Sequence, residues 1–230
     1  MQPRWTPLGV AFLFVLAGCT RGDDGAPPGA SGDGADSCDG VGETLDTDTD
    51  AHTFVALATS EGCIVAELHD DKVPITVANF VTYVDEGFYT DLLFHRIIKD
   101  FMVQTGGMKR DGSFKEPTHA PIKNEAAASG LENVEFTLSM ARTTAPDSAT
   151  NQFFINTDDN RASLDPQGGS AGYAVFGLVV QGRDVVEAIE DTPVTAYSQG
   201  RHCQPDNTPS CPTRDVVLHS VEVLQRPAAG

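Results

Sequence analysis

The chain has 230 residues and a formal net charge of −18 at pH 7, a length that suits one domain with an extension or two small domains. With 33 acidic against 15 basic side chains, it lacks the Lys and Arg clusters that grip nucleic-acid phosphates or anionic lipid. No nucleic-acid partner is expected.

At the N-terminus, Arg4 precedes the apolar stretch LGVAFLFVLA (Leu8–Ala17), which is too short to span a bilayer and suits a signal-peptide core. The following LAGC (Leu16–Cys19) resembles the bacterial lipobox. That resemblance implies removal of residues 1–18 and lipidation of Cys19; the bland alternative is a secretory signal with an incidental cysteine. Thr20, and not aspartate, follows the cysteine, which by the same resemblance favours an outer-membrane or periplasmic anchor over retention at the inner membrane. Membrane association would then run only through the N-terminal lipid.

Residues 19–51 read as an acidic, disordered tether. Between Thr20 and Asp50 there are nine Asp or Glu and a single basic residue, Arg21, among Gly, Ala, Pro and Ser with little to bury. The run DTDTD (Asp46–Asp50) invites a calcium-loop reading, but Ala51 and Leu57 stand where that loop needs Gly and Glu. Beyond Cys19 the cysteines are Cys38, Cys63, Cys203 and Cys211. An even number in an exported chain favours two disulfides, with three pairings possible. The short, turn-rich CQPDNTPSC favours Cys203–Cys211, leaving Cys38–Cys63 to tie the tail to the first hairpin. Zinc held with His202 is disfavoured, because the close Cys-x-x-Cys pairs of structural zinc sites are missing. No metal is expected.

The folded domain is placed at 52–226. HTFVALATSEGCIVAELHD reads as two strands around a Ser60–Gly62 turn. In VPITVANFVTYVDEGF, Pro74 suits a first helical turn, Val77, Phe80, Val81 and Val84 fall at helical spacing, and Gly87 is a stop. Strands are expected at 92–98, 101–104, 134–141, 152–156 and 173–180. A second helix is expected over DVVEAIED, capped by Asp184, and a last strand over DVVLHSVEVL. Many short strands, two helices and Gly-rich loops suggest a closed antiparallel β-barrel with helices over its ends.

Several chemistries are excluded by missing motifs: there is no G-x-S-x-G elbow, no P-loop, no strand-to-helix G-x-G-x-x-G and no H-E-x-x-H pair. His95 is next to Arg96, and strand alternation turns the two side chains to opposite faces, so His95 reads as a packed histidine. Arg96 itself is a permanent charge in an apolar run, LLFHRII. Either it faces solvent from an edge strand, or the strand presents it to a pocket.

Five ordered segments, FHRIIKDFMVQTGG (94–107), PIKNE (121–125), LSMAR (138–142), SATNQFFIN (148–156) and YAVFG (173–177), together resemble the cyclophilin family of peptidyl-prolyl cis/trans isomerases, in its bacterial periplasmic-type branch. The resemblance covers about residues 52–224. It implies an eight-stranded barrel with an active groove on its outer surface and rotation of X–Pro bonds in exported polypeptides. It requires no cofactor and implies a monomer that takes proline-containing polypeptides. Carried over by position, Arg96 would be the catalytic arginine, with Gln104 binding substrate backbone and steadying it. Phe101, Met102, Phe154 and Leu164 would line the proline pocket. Ala141 and Arg142 would offer main-chain contacts, Gln152 would line the groove, and Tyr173 stands where many eukaryotic members have histidine. Taken singly, each apolar member of this set would read as core packing. Two departures stand out: Ser163 replaces the aromatic residue common before the pocket leucine, which bears on affinity for cyclosporin-like ligands, and Thr105 replaces the first glycine of Q-G-G. The rival readings are a non-catalytic module that binds proline segments and a chaperone using the same groove.

Overall fold

The computed structural model describes Cys38, residues 52–196 and residues 209–225. The signal-peptide and tether readings, Cys19 and Cys203 lie outside the described residues. In chain order the elements are β1 (Phe54–Thr59), β2 (Gly62–Leu68), α1 (Pro74–Asp85), β3 (Leu92–Leu93), β4 (Arg96–Ile98), β5 (Met102–Thr105) and β6 (Met108–Lys109). Then come α2 (Ala126–Ser129), β7 (Thr137–Met140), β8 (Phe153–Asn156), α3 (Arg161–Leu164), β9 (Val175–Gln181), α4 (Arg183–Glu190), β10 (Val194–Thr195), β11 (Cys211–Pro212) and β12 (Val217–Gln225).

The first hairpin forms as its pattern predicts, with Phe54 opposite Glu67 and Thr59 opposite Gly62. Alternation of β-branched and small residues lets β1 and β2 bury Val55, Leu57, Ile64, Ala66 and Leu68 in the main core. Helix α1 adds Val77, Phe80, Val81 and Val84, the four positions that the helical spacing picks out. It ends in a left-handed glycine: Gly87 has φ of 63°. The Gly87 N–H donates to the Val84 carbonyl and the Phe88 N–H to the Tyr83 carbonyl, and the Tyr83 and Phe88 rings meet at 4.8 Å. This is a Schellman stop with its hydrophobic contact, which only a residue free to adopt positive φ can close cheaply.

The sheet corrects the expectation of a closed eight-stranded barrel. Ten strands form one curled, antiparallel sheet in the order β4-β5-β8-β7-β9-β2-β1-β12-β3-β6, which has two ends. The expected strand at 92–98 is split into β3 and β4, and the chain changes partner between them. The Phe94 N–H donates to Val216 while the His95 N–H donates to Gln104. The two ends, β4 and β6, are therefore the continuations of β3 and β5. The expected strand at 134–141 shortens to β7 because Phe136 adopts φ of 66° and breaks the ladder. Asp184 is not the cap of the last helix; α4 begins at Arg183 with Gly182 as N-cap at φ of 83°, and Asp184 sits in its first turn. A Cβ on Gly182 would lie 2.3 Å from the Cys63 carbonyl oxygen, so the close approach to β2 fixes the start. Among the described residues, two single-turn helices, α2 and α3, add to the two expected ones and are too short to carry a periodic signal.

Cys38 and Cys63 are joined in a disulfide, with Cα atoms 5.6 Å apart, as the expected tie from the tail to β2. Cys211 is also disulfide-bonded. It sits on β11, which pairs with β10 and so pins one end of the 199–212 loop.

Candidate active site

Met102, Phe154 and Leu164 form a buried apolar cluster separate from the main core, with Ile98, Phe101, Ala141 and Tyr173 packed against it. The cluster exists because β5 and β8 pair antiparallel, with Gln104 opposite Phe154 and Met102 opposite Asn156. One face of that pair (Val103, Phe153, Ile155) feeds the main core and the other (Met102, Phe154) faces outward.

Above this cluster is a groove of about 230 Å³. Its apolar side is Phe101, Met102, Phe154 and Leu164, and its polar rim is Arg96, Gln104, Ala141, Arg142 and Tyr173. Nine of the ten groove residues expected from the sequence are thus brought together. The tenth, Gln152, lines an adjoining cavity and accepts a hydrogen bond from Gln104 Nε2 at 3.0 Å.

Arg96 is half-buried on β4, opposite Gln104 in the β4–β5 register, with Nη1 3.6 Å from Met102 Sδ. His95 is buried, away from the groove, with its ring edge-on to Phe114 at 6.1 Å. Burial pushes the His95 pKa down to about 4, opposed in part by the hydrogen bond to the Leu93 backbone, reinforced by the Arg96 charge, and opposed again by the Gln152 side chain. A neutral imidazole off the groove offers no acid–base chemistry to a ligand there.

Two glycines of the QTGG segment are explained by Gln152. A Cβ on Gly107 would fall 2.5 Å from Gln152 Cδ, and one on Gly106, at φ of 88°, would fall 2.7 Å from the Asn151 carbonyl oxygen. The missing side chains make room for the amide that meets Gln104. Thr105, where glycine is usual, is tolerated because its hydroxyl donates to the Leu93 carbonyl at 3.0 Å. Ser163 is exposed on α3, and its hydroxyl donates back to the Asn160 carbonyl, so no aromatic residue covers that end of the groove.

Tyr173 lies beside this segment, its N–H donating to the Leu164 carbonyl at 2.9 Å. Its ring stands edge-on to Phe154 at 5.8 Å, and the Arg142 guanidinium lies 4.4 Å from its centroid. Arg142 is itself fixed, donating through Nε to Gly172 and through Nη1 to Thr143, each at 2.9 Å.

Sequence reasoning missed the polar layer beneath the groove. Asn160 Nδ2 donates to the Phe101 carbonyl at 2.6 Å and to Asn156 Oδ1 at 2.8 Å. Asn156 Nδ2 donates to Thr137 Oγ1 and, at 3.3 Å, to Asn133 Oδ1, which also accepts from Ser139. Asn133 Nδ2 reaches the Tyr173 carbonyl at 3.1 Å and Asp165 Oδ1 at 2.9 Å. Three buried asparagines therefore tie together the backbones of Phe101 and Tyr173, both of which line the groove. The only signal in the sequence is polar residues within short apolar runs, as in QFFIN. Glu125, quoted in PIKNE as a motif residue, also lies outside the groove: its carboxylate accepts from the Ile75 and Thr76 N–H groups and the Thr76 hydroxyl. It caps α1 from 49 residues away.

Among the described residues no group of three or more His, Cys, Asp or Glu is arranged to hold a metal, and no helix is long and apolar enough to cross a membrane.

Comparison with known proteins gives consistent matches. Residues 54–223 match the family described as cyclophilin type peptidyl-prolyl cis-trans isomerase/CLD. The chain is 47% identical over 164 residues to a peptidyl-prolyl cis-trans isomerase of Acinetobacter baylyi, covering 71% of this chain and 83% of that one. It is 46% identical over 175 residues to peptidyl-prolyl cis-trans isomerase B of Escherichia coli, covering 75% of this chain and 100% of that one. Among solved structures, a cyclophilin type peptidyl-prolyl cis-trans isomerase of Cryptosporidium parvum superposes with a TM-score of 0.59 at 20% identity, covering 76% of this chain and 99% of that one. That likeness concerns the fold.

Proposed function

Since the chain belongs to the cyclophilin-type peptidyl-prolyl cis-trans isomerases and is an isomerase, we propose that it turns X–Pro bonds in exported polypeptides through Arg96. The observation that carries this reading is the groove: a fixed cation at the edge of an apolar pocket formed by Phe101, Met102, Phe154 and Leu164, outside the main core.

The chemistry needs no nucleophile. Rotation about an amide crosses a barrier of about 18–20 kcal/mol because resonance is lost, so uncatalysed X–Pro exchange takes roughly tens to hundreds of seconds. As the bond twists, the proline nitrogen gains a lone pair. A donor aimed at it stabilises the twisted state more than the planar one, which is the condition for catalysis. Arg96 fits because a guanidinium is always charged and planar, and Gln104, opposite it in register, would bind substrate backbone and steady it. The apolar pocket would hold the proline ring while Ala141 and Arg142 bind the preceding residues through their main chain, with Gln152 beside them.

A ~10⁵-fold acceleration needs about 7 kcal/mol, whereas one charge-assisted hydrogen bond contributes about 1.5–3 kcal/mol. Arg96 thus supplies part of the effect, and the preorganised pocket supplies the rest. Arg96→Ala is expected to lower kcat/KM on a proline tetrapeptide by about 10- to 150-fold, measured by cis/trans exchange in NMR. A variant as active as the parent would overturn the role of Arg96. Binding without exchange peaks in the parent would overturn turnover itself and leave a proline-binding module.

The same proposal places the domain, residues 52–226, outside the cytoplasm as a monomer on a leash (residues 19–51) from a lipid on Cys19, after loss of residues 1–18.

A further inference from the structure

We propose that the cavity beside the groove selects substrates carrying a carboxylate side chain two or three residues ahead of the proline, and that Arg142 reads it. The inference rests on the groove holding an X–Pro segment.

The cavity measures about 270 Å³ and shares Gln104, Ala141 and Arg142 with the groove. Thr143, Ser148, Thr150 and Gln152 complete its lining, so hydroxyls and amides surround a single charge. A small recess on another side of Arg142 is lined by Lys123 and likewise by no carboxylate. The groove itself contributes Arg96. In a chain with 33 acidic residues, these three adjoining hollows hold only cations.

Arg142 differs from four cations of the fold that are neutralised by ion pairs. Lys72, Lys99, Arg161 and Arg214 each pair with a carboxylate. Arg142 is half-buried and donates only to the Gly172 and Thr143 carbonyls, with its plane on Tyr173. Those partners are neutral. They orient the guanidinium without cancelling its charge, and Nη2 has no partner among the described residues. Two carboxylates that flank the groove segments in sequence are engaged elsewhere: Asp147 accepts from the Asn124 N–H, and Asp165 accepts from Asn133.

A guanidinium fixed in advance loses little side-chain freedom when it meets a carboxylate, and its planar fork matches the two oxygens. An extended substrate advances about 3.3 Å per residue with side chains alternating between faces. A segment bound along the main chain of Ala141 and Arg142 therefore brings a side chain two or three positions before the proline to the neighbouring cavity.

The test uses the whole chain and N-acetylated proline peptides carrying Glu, Gln or Lys at the second or third position before proline, with kcat/KM from NMR exchange. The expected order is Glu over Gln over Lys, with Glu about five- to tenfold ahead of Gln at low salt and the gap narrowing in concentrated NaCl. Arg142→Gln should bring the Glu/Gln ratio close to one, and Arg142→Glu should favour Lys. Equal turnover of all three peptides by the parent overturns this inference and leaves isomerase activity standing. A Glu preference that survives Arg142→Gln overturns the role of Arg142. Loss of turnover with every peptide in the parent overturns the isomerase reading, and this inference with it.

Discussion

Arg96 and His95 are neighbours in the chain, yet one edges the groove and the other is sealed off beside Phe114. Their separation follows from strand alternation and is legible in the sequence; the grouping of the nine groove residues is legible only through the family resemblance of the five motifs, since each apolar member alone reads as core packing. The buried asparagines were not legible, since an amide inside an apolar strand says nothing about its partner until the strands are registered. The depressed His95 pKa has a consequence for stability. The folded state holds the imidazole neutral down to about 4, while the unfolded chain protonates it near 6.5. Between those values the unfolded state binds more protons, so stability rises with pH across this window and is flat above it with respect to this group. The full span corresponds to about 3 kcal/mol. His69, also lowered by burial, slopes the same way, whereas His52, raised by its hydrogen bond to Glu67, contributes stability below 6.5 that fades as pH climbs through its raised value. In urea unfolding followed from pH 4 to 7, His95→Gln should flatten the rise; an unchanged slope would assign it to other groups.

Helix α1 shows how an element can be read and still be misunderstood. Its length, Pro74 start and Gly87 stop all follow from local signals, but Val73 at its N-cap offers no side-chain cap. The free N–H groups of the first turn are satisfied by Glu125, a residue with no local signature for the task. Hydrogen bonds to a charged group contribute about 1.5–3 kcal/mol, so Glu125→Ala should cost stability of that order and lower Tm, with kcat/KM per folded molecule little changed. A selective loss of activity at unchanged Tm would move Glu125 into the site. The strands were harder to read. Short ladders such as β3 and β4 carry too few residues for a period, and the break between them depends on which neighbour each half meets across the sheet.

For the molecule as a whole, the anchored reading predicts that the full chain fractionates with outer membranes and incorporates labelled palmitate, and that Cys19→Ser abolishes both; a soluble parent would refute it. The Cys38–Cys63 bond then acquires a geometric meaning. Because Cys38 is fastened to β2, the span that sets how far the domain can stray from a lipid on Cys19 ends at residue 38, not at residue 52. At roughly 3.3–3.6 Å per residue, the limit falls from about 110 Å to about 65 Å. The cystine works as a buckle on the leash. Under the anchored reading, the reduced enzyme would reach nearly twice as far from its membrane, and the oxidised one would be held close to it.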